Sequence, residues 1–112
     1  MSFSGFQRAL ANQVNDISGS QKGLGLGGLL SSQNTLTYTL IATNVTQDQT
    51  ATISGASLGD FVLAACTTAL VAGLEITAFV SAANTVTVRI GNATAGGITP
   101  GALIFNILVL KP

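Results

Sequence analysis

The chain has no histidine and one cysteine, Cys66, among its 112 residues. No intrachain disulfide can form, which excludes a stapled secreted mini-protein. A Cys/His metal centre within one chain is excluded too, as are most nucleophile–base dyads, whose usual base is His. Cys66 follows the apolar run Phe61–Ala65 and is expected to be an inert, buried thiol. Charge is the second scarcity. Four Lys and Arg balance four Asp and Glu, 7% of residues in all, where a soluble domain carries about 25%. So few cations cannot coat nucleic acid, because neutralising phosphates takes several on one face. Long apolar runs are also missing. The longest, Phe61 to Leu74, is broken by Thr67, Thr68 and Gly73 and bounded by Asp60 and Glu75. A spanning helix needs about 20 apolar residues, so no membrane partner is expected. No apolar stretch behind a basic start marks a targeting segment.

What is present is apolar and neutral. Hydrophobic residues make up 47%, and the polar complement is 14 Thr, 9 Ser, 7 Asn and 6 Gln. The length suits one domain that buries about two thirds of its unfolded surface. Charge-driven disorder is not expected, since low hydrophobicity and high net charge are both missing. A charge-poor surface guards badly against association. Much of this surface is therefore expected to be covered by partners.

Composition changes near residue 33, dividing the chain into an N-terminal arm with a glycine-rich linker (1–32) and a β domain (33–112). In the arm, Phe6, Leu10, Val14 and Ile17 fall at helical spacing. Such a helix is marginal in water unless its apolar stripe docks on something. The stripe is the candidate partner-binding element, on a neighbouring subunit. Residues 23–30 (GLGLGGLL) read as a hinge or irregular connection.

From Thr35 the pattern alternates with period two. Thr35–Thr43 puts Leu36, Tyr38, Leu40 and Ala42 on one face. Thr50–Ser54 is a shorter strand, preceded by a polar turn, NVTQDQ. Asp60–Cys66 reads as a strand with both faces partly covered. Leu74–Ser81 and Thr85–Ile90 alternate cleanly around a hairpin loop at 81–84. Leu103–Leu110 closes the series, and residues 67–73 are a loop or one helical turn. Strands at this spacing without helices predict an all-β fold, an antiparallel β-sandwich (jelly-roll-like) or small barrel, with an extended N-terminal arm.

Chemistry-bearing motifs are few. Gly23, Gly25 and Gly28 match G-x-G-x-x-G, with Asp48 twenty residues on. A dinucleotide site needs a strand before these glycines and a helix after them. Neither is read here, so no cofactor is expected. Asn44-Val45-Thr46 and Asn92-Ala93-Thr94 fit the N-glycosylation pattern but read as turns, where Asn tolerates unusual backbone angles. Asp48, Asp60 and Glu75 are spaced too far apart to form an acid/base pair and read as solvated or salt-bridged. Arg89 lies mid-strand, and Glu75 lies on the matching face of the adjacent strand. A cross-strand or intersubunit ion pair between them is the expectation. No catalytic or metal-binding residues are assigned.

Residues 58–110 carry LGDFVL and then LVAGLEITAFVSAANTVTVRIGNATAGGITPGALIFNILVL. The pattern is Gly59-Asp60, Gly73-Leu74, Val80 to Asn84, Thr85 to Arg89, Asn92 to Thr94, and Pro100 before the last strand. It resembles a small β domain recurrent in tailed-bacteriophage virion proteins, including those of cyanophages. The resemblance implies a non-enzymatic structural role in trimeric assemblies, as capsid cement (decoration) protein or as part of tails and fibres. Residues 1–57 and Asn106 in the last strand fall outside the pattern. The expectation is therefore a capsid cement protein at the virion surface. It would form a homotrimer, bind the major capsid protein and stabilise the head. A tail, fibre or neck component is one alternative. A carbohydrate-binding β-sandwich module is the other, disfavoured by a single Tyr and no Trp.

Overall fold

A computed structural model describes residues 27–112. Six strands follow in order: β1 (Gly28–Tyr38), β2 (Thr46–Thr52), β3 (Phe61–Cys66), β4 (Leu74–Ala82), β5 (Thr85–Asn92) and β6 (Gly101–Lys111). They form two antiparallel three-stranded sheets, β1–β6–β3 and β2–β5–β4. The described residues contain no helix, and the architecture is a β-sandwich. Only the β4–β5 hairpin stays within one sheet; every other connection crosses between the layers.

The inner faces supply the core. Leu36 and Tyr38 from β1 meet Ala51 from β2, Val80 from β4, Val86, Val88 and Ile90 from β5, and Phe105, Ile107 and Val109 from β6. Each of the Leu, Ile, Val and Phe side chains among them contributes roughly 1.5–3 kcal/mol when fully buried. Tyr38 stacks edge-on against Phe105 with centroids 6.4 Å apart. Its hydroxyl donates to the Val88 carbonyl at 2.7 Å, which ties the two sheets together and satisfies the one polar atom it brings inside. Burial raises the Tyr38 phenol well above its ordinary pKa.

Strand faces in β4 and β5 match the period-two reading: Leu74, Ile76, Ala78 and Val80 point inward, and Thr77 and Phe79 outward. Three expectations change. First, β1 starts at Gly28 rather than Thr35, so the composition break at 33 falls inside a strand. Residues 28–34 pair with 105–111 of β6 through the main chain, and that ladder needs no particular side chain. Second, β1 ends at Tyr38. The alternation then shifts: Ile41 is buried at 1% exposure and bridges Ile98, whereas Leu40 is 64% exposed. Third, the polar stretch read as a turn is mostly β2, and only Thr43 and Asn44 turn. Gln47 is held by Thr39, accepting from its N–H at 2.8 Å and donating to its hydroxyl at 2.9 Å.

The turns are fixed by asparagine and glycine. Asn44 and Asn84 adopt φ of 60° and 59°, the left-handed region that Asn tolerates. Gly73 enters β4 with φ of 91°, and a Cβ there would stand 2.3 Å from the Thr94 methyl. Asn92 is the buried hub of the loop after β5. Its Nδ2 donates to the carbonyls of Ile41 and Gly96, both at 2.9 Å. Its Oδ1 accepts from the Thr94 N–H at 2.9 Å and the Thr94 hydroxyl at 2.6 Å. With 2% exposure, this amide is a structural fastener and is closed to glycosylation.

Candidate functional site

The two outer faces differ sharply. On β2–β5–β4 the outward residues are largely threonines around one ion pair. Arg89 faces Asp48 on β2 and Thr77 on β4 in the strand register, while Glu75 lies opposite Gly91. The guanidinium bonds both carboxylate oxygens of Asp48, Nε at 2.7 Å and a terminal nitrogen at 3.0 Å. It also lies 5.1 Å from the centre of the Phe79 ring. The cross-strand pair therefore forms with Asp48 and not with Glu75, because the hairpin register carries Glu75 two residues past the position opposite Arg89. Hydrogen bonds from Arg89 hold the Asp48 carboxyl below the usual carboxylate range, and the same contact raises the Arg89 pKa. Both side chains are 42% exposed, so the pair adds little to stability.

A second ion pair joins the last strand to the loop before β3. Lys111 Nζ reaches Asp60 Oδ2 at 2.6 Å and the Gly55 carbonyl at 2.7 Å. The same carboxylate accepts from the Ser57 N–H at 2.9 Å. Hydrogen bonding by Lys111, then by Ser57, holds the Asp60 carboxyl below its ordinary value. Both partners are committed to holding a loop, and neither is free for chemistry. No group of three or more His, Cys, Asp or Glu side chains converges among the described residues. Cys66 is half-buried on the core side of β3, with its sulfur 3.6 Å from the Thr68 hydroxyl.

The outer face of β1–β6–β3 is the feature that sequence reasoning missed. Register places its residues in rows across three strands: Leu29–Leu110–Phe61, then Ser31–Leu108–Leu63, then Gln33–Asn106–Ala65. Leu29, Phe61, Leu63 and Ile104 are 50%, 61%, 60% and 41% exposed, although they sit in regular strands. No charged side chain stands among them. The Gln33 side-chain amide donates to Asn106 Oδ1 at 3.0 Å, so the polar residue within the apolar run of the last strand is paired on this face. Between these residues lies a shallow open depression of about 600 Å³, lined by Ser31, Gln33, Leu63, Ala65, Asn106 and Leu108. Its signal in the sequence was the apolar character of both alternating positions in FVLAA and, apart from Asn106, in LIFNILVL, which belongs to strands covered on both faces. Here one face is core, and the other meets no partner within the described residues.

The predicted stripe Phe6, Leu10, Val14 and Ile17 lies outside the described residues, as do Gly23 and Gly25. Gly28 opens a strand where the dinucleotide motif would need a helix N-terminus. No known protein family, curated protein or solved structure matches the chain.

Proposed function

We propose that the protein is a capsid cement (decoration) protein. It would act as a homotrimer at the virion surface, binding between major capsid protein subunits and stabilising the head. The observation that carries this reading is the charge-free apolar face of β1–β6–β3. A contiguous exposed apolar surface on a small domain marks a place where another macromolecule sits. The neutral Ser, Thr and Gln around it match the polar rim of a specific interface. The likeness of residues 58–110 to virion β domains supplies the choice of partner.

The mechanism is burial without chemistry. Coat subunits would cover the Leu29, Phe61, Leu63 and Ile104 face as the centre of a larger contact of roughly 1,600 Å². The test adds purified protein to phage heads that lack it and measures occupancy and resistance to heat. Attachment that disappears with Leu63→Glu, while the variant still unfolds cooperatively, supports the reading. Failure of the native protein to attach to heads, or its absence from intact particles, removes it.

A further inference from the structure

We propose that β1 pairs edge to edge with the β1 of a second copy of this chain, antiparallel and centred on Gln33. The phase of the ladder is the first observation. The Thr67 N–H donates to the Ile104 carbonyl at 2.9 Å, so alternate residues of β6 from Ile104 onward turn their main-chain groups to β3. Leu103, Phe105, Ile107 and Val109 turn theirs to β1, opposite Leu36, Asn34, Ser32 and Leu30. The N–H and C=O of Leu29, Ser31, Gln33, Thr35 and Thr37 therefore point away from β6, along an edge where no described residue bonds them. Each offers one donor and one acceptor.

The second observation is that this edge is unguarded. Charge, proline, bulges or shortness normally protect an edge strand. The other three edges carry such guards. β3 has 6 residues and follows Asp60, β2 carries Asp48, and β4 carries Glu75 and a register break between Val80 and Ala82. β1 runs 11 residues without a charge or a proline, and its register to β6 is unbroken.

The third observation names the occupant. Antiparallel pairing of two copies about Gln33 sets Leu30 against Leu36 and Ser32 against Asn34 on the core side. On the outer side it sets Ser31 against Thr35 and Leu29 against Thr37. Apolar meets apolar or polar meets polar in all but the last pair, and no charge opposes a charge. The same centring puts all the outward-pointing residues in hydrogen-bonded pairs, so each exchanges both bonds with its opposite number. The two-fold axis stands perpendicular to the sheet. The β3–β6–β1 sheet of one copy then continues into β1–β6–β3 of the other, with both apolar faces on the same side. The contact uses the edge and leaves that face to the coat, so it adds to the proposed function without depending on it. Where three copies cluster, it would join one cluster to the next.

The test uses the full chain. Gln33→Cys and Thr37→Cys are each introduced alone with Cys66→Ser. Hydrogen-bonded partners stand about 5.5 Å apart at Cα, within disulfide range, whereas the two copies of residue 37 would be about 26 Å apart. After mild oxidation, Gln33→Cys is expected to give a covalent dimer at least tenfold above Thr37→Cys. Equal yields, or no dimer from Gln33→Cys, would overturn the proposal. A charge series in the native background decides if Cys66→Ser does not fold. Ser31→Lys with Thr35→Lys sets like charges opposite each other across the pair, and Ser31→Lys with Thr35→Glu sets unlike ones. In sedimentation the first variant is expected to associate at least tenfold more weakly than the native protein, and the second to recover. No self-association of the native protein, equal association in all three, or no recovery in the second would also overturn it. These readouts need no phage heads, so failure of edge pairing is separable from failure of head attachment.

Discussion

Replacing Asn92 with Asp changes one NH₂ into one oxygen and should remove a large share of the domain's stability near neutral pH. The amide nitrogen now gives two hydrogen bonds to main-chain carbonyls, and the side chain is 2% exposed. An ionised carboxylate there loses both, at about 1 kcal/mol each, and turns an acceptor toward two other acceptors in a desolvated site. Together these effects amount to about 4 kcal/mol, against 5–15 kcal/mol for a typical domain. At about 4–8 °C per kcal/mol, the unfolding midpoint should fall by roughly 15–30 °C. The pH dependence gives the sharper signature. The introduced carboxyl is stabilised in its neutral form, so its folded pKa rises above the unfolded value of about 3.9. Its penalty is largest above the folded pKa and fades as pH falls toward the unfolded one, because the protonated group regains a donor. The gap to the native protein should therefore narrow between about pH 7 and pH 4. Thermal unfolding of both proteins followed by circular dichroism across that range measures it. A loss under about 1 kcal/mol at pH 7, or a gap that widens in acid, would refute the account of Asn92 as a fully satisfied fastener.

Other outcomes follow from the same contacts. Tyr38→Phe should lower stability by about 1–2 kcal/mol in urea titration, because it leaves the Val88 carbonyl buried without its donor. Asp60 has a depressed pKa, so its contribution is complete above the unfolded carboxylate value and is lost as pH falls through the lower folded one. Lys111→Met should flatten the acid side of the stability profile below about pH 4, seen in melts at stepped pH. Asp48→Asn should leave the unfolding midpoint nearly unchanged, since exposed ion pairs contribute little. Attachment to heads should change by no more than about threefold between 50 and 500 mM salt, because the face carries no charge to screen; a steep loss would indicate ionic docking elsewhere.

The strand pattern was legible wherever one face is core and the other solvated, as in β4 and β5. It failed where the main chain alone decides. Gly28 to Ser32 look like linker by composition, yet they pair with β6 because a ladder hydrogen-bonds any backbone that stays extended. Thr46 to Gln49 look like a turn, yet they form an edge strand whose inward Gln47 is satisfied by Thr39. The partner of Arg89 was misread because adjacency in sequence suggests β4, while register and the far neighbour β2 set the contact. The candidate face could not be assembled at all without strand order. Its residues come from positions 29–35, 61–65 and 102–110, and nothing local says that β6 lies between β1 and β3.

That order has a consequence for biosynthesis. The β2–β5–β4 sheet is complete once Asn92 has left the ribosome, but β1 and β3 share a partner that emerges last of the six. Until β6 arrives, two nascent strands present open hydrogen-bonding edges and apolar side chains at once, the combination that invites misassembly and chaperone capture. Residues 101–111 thus act as the closing stitch of the sandwich, and a ribosome that stalls before them releases one sheet with nothing to hold its other layer.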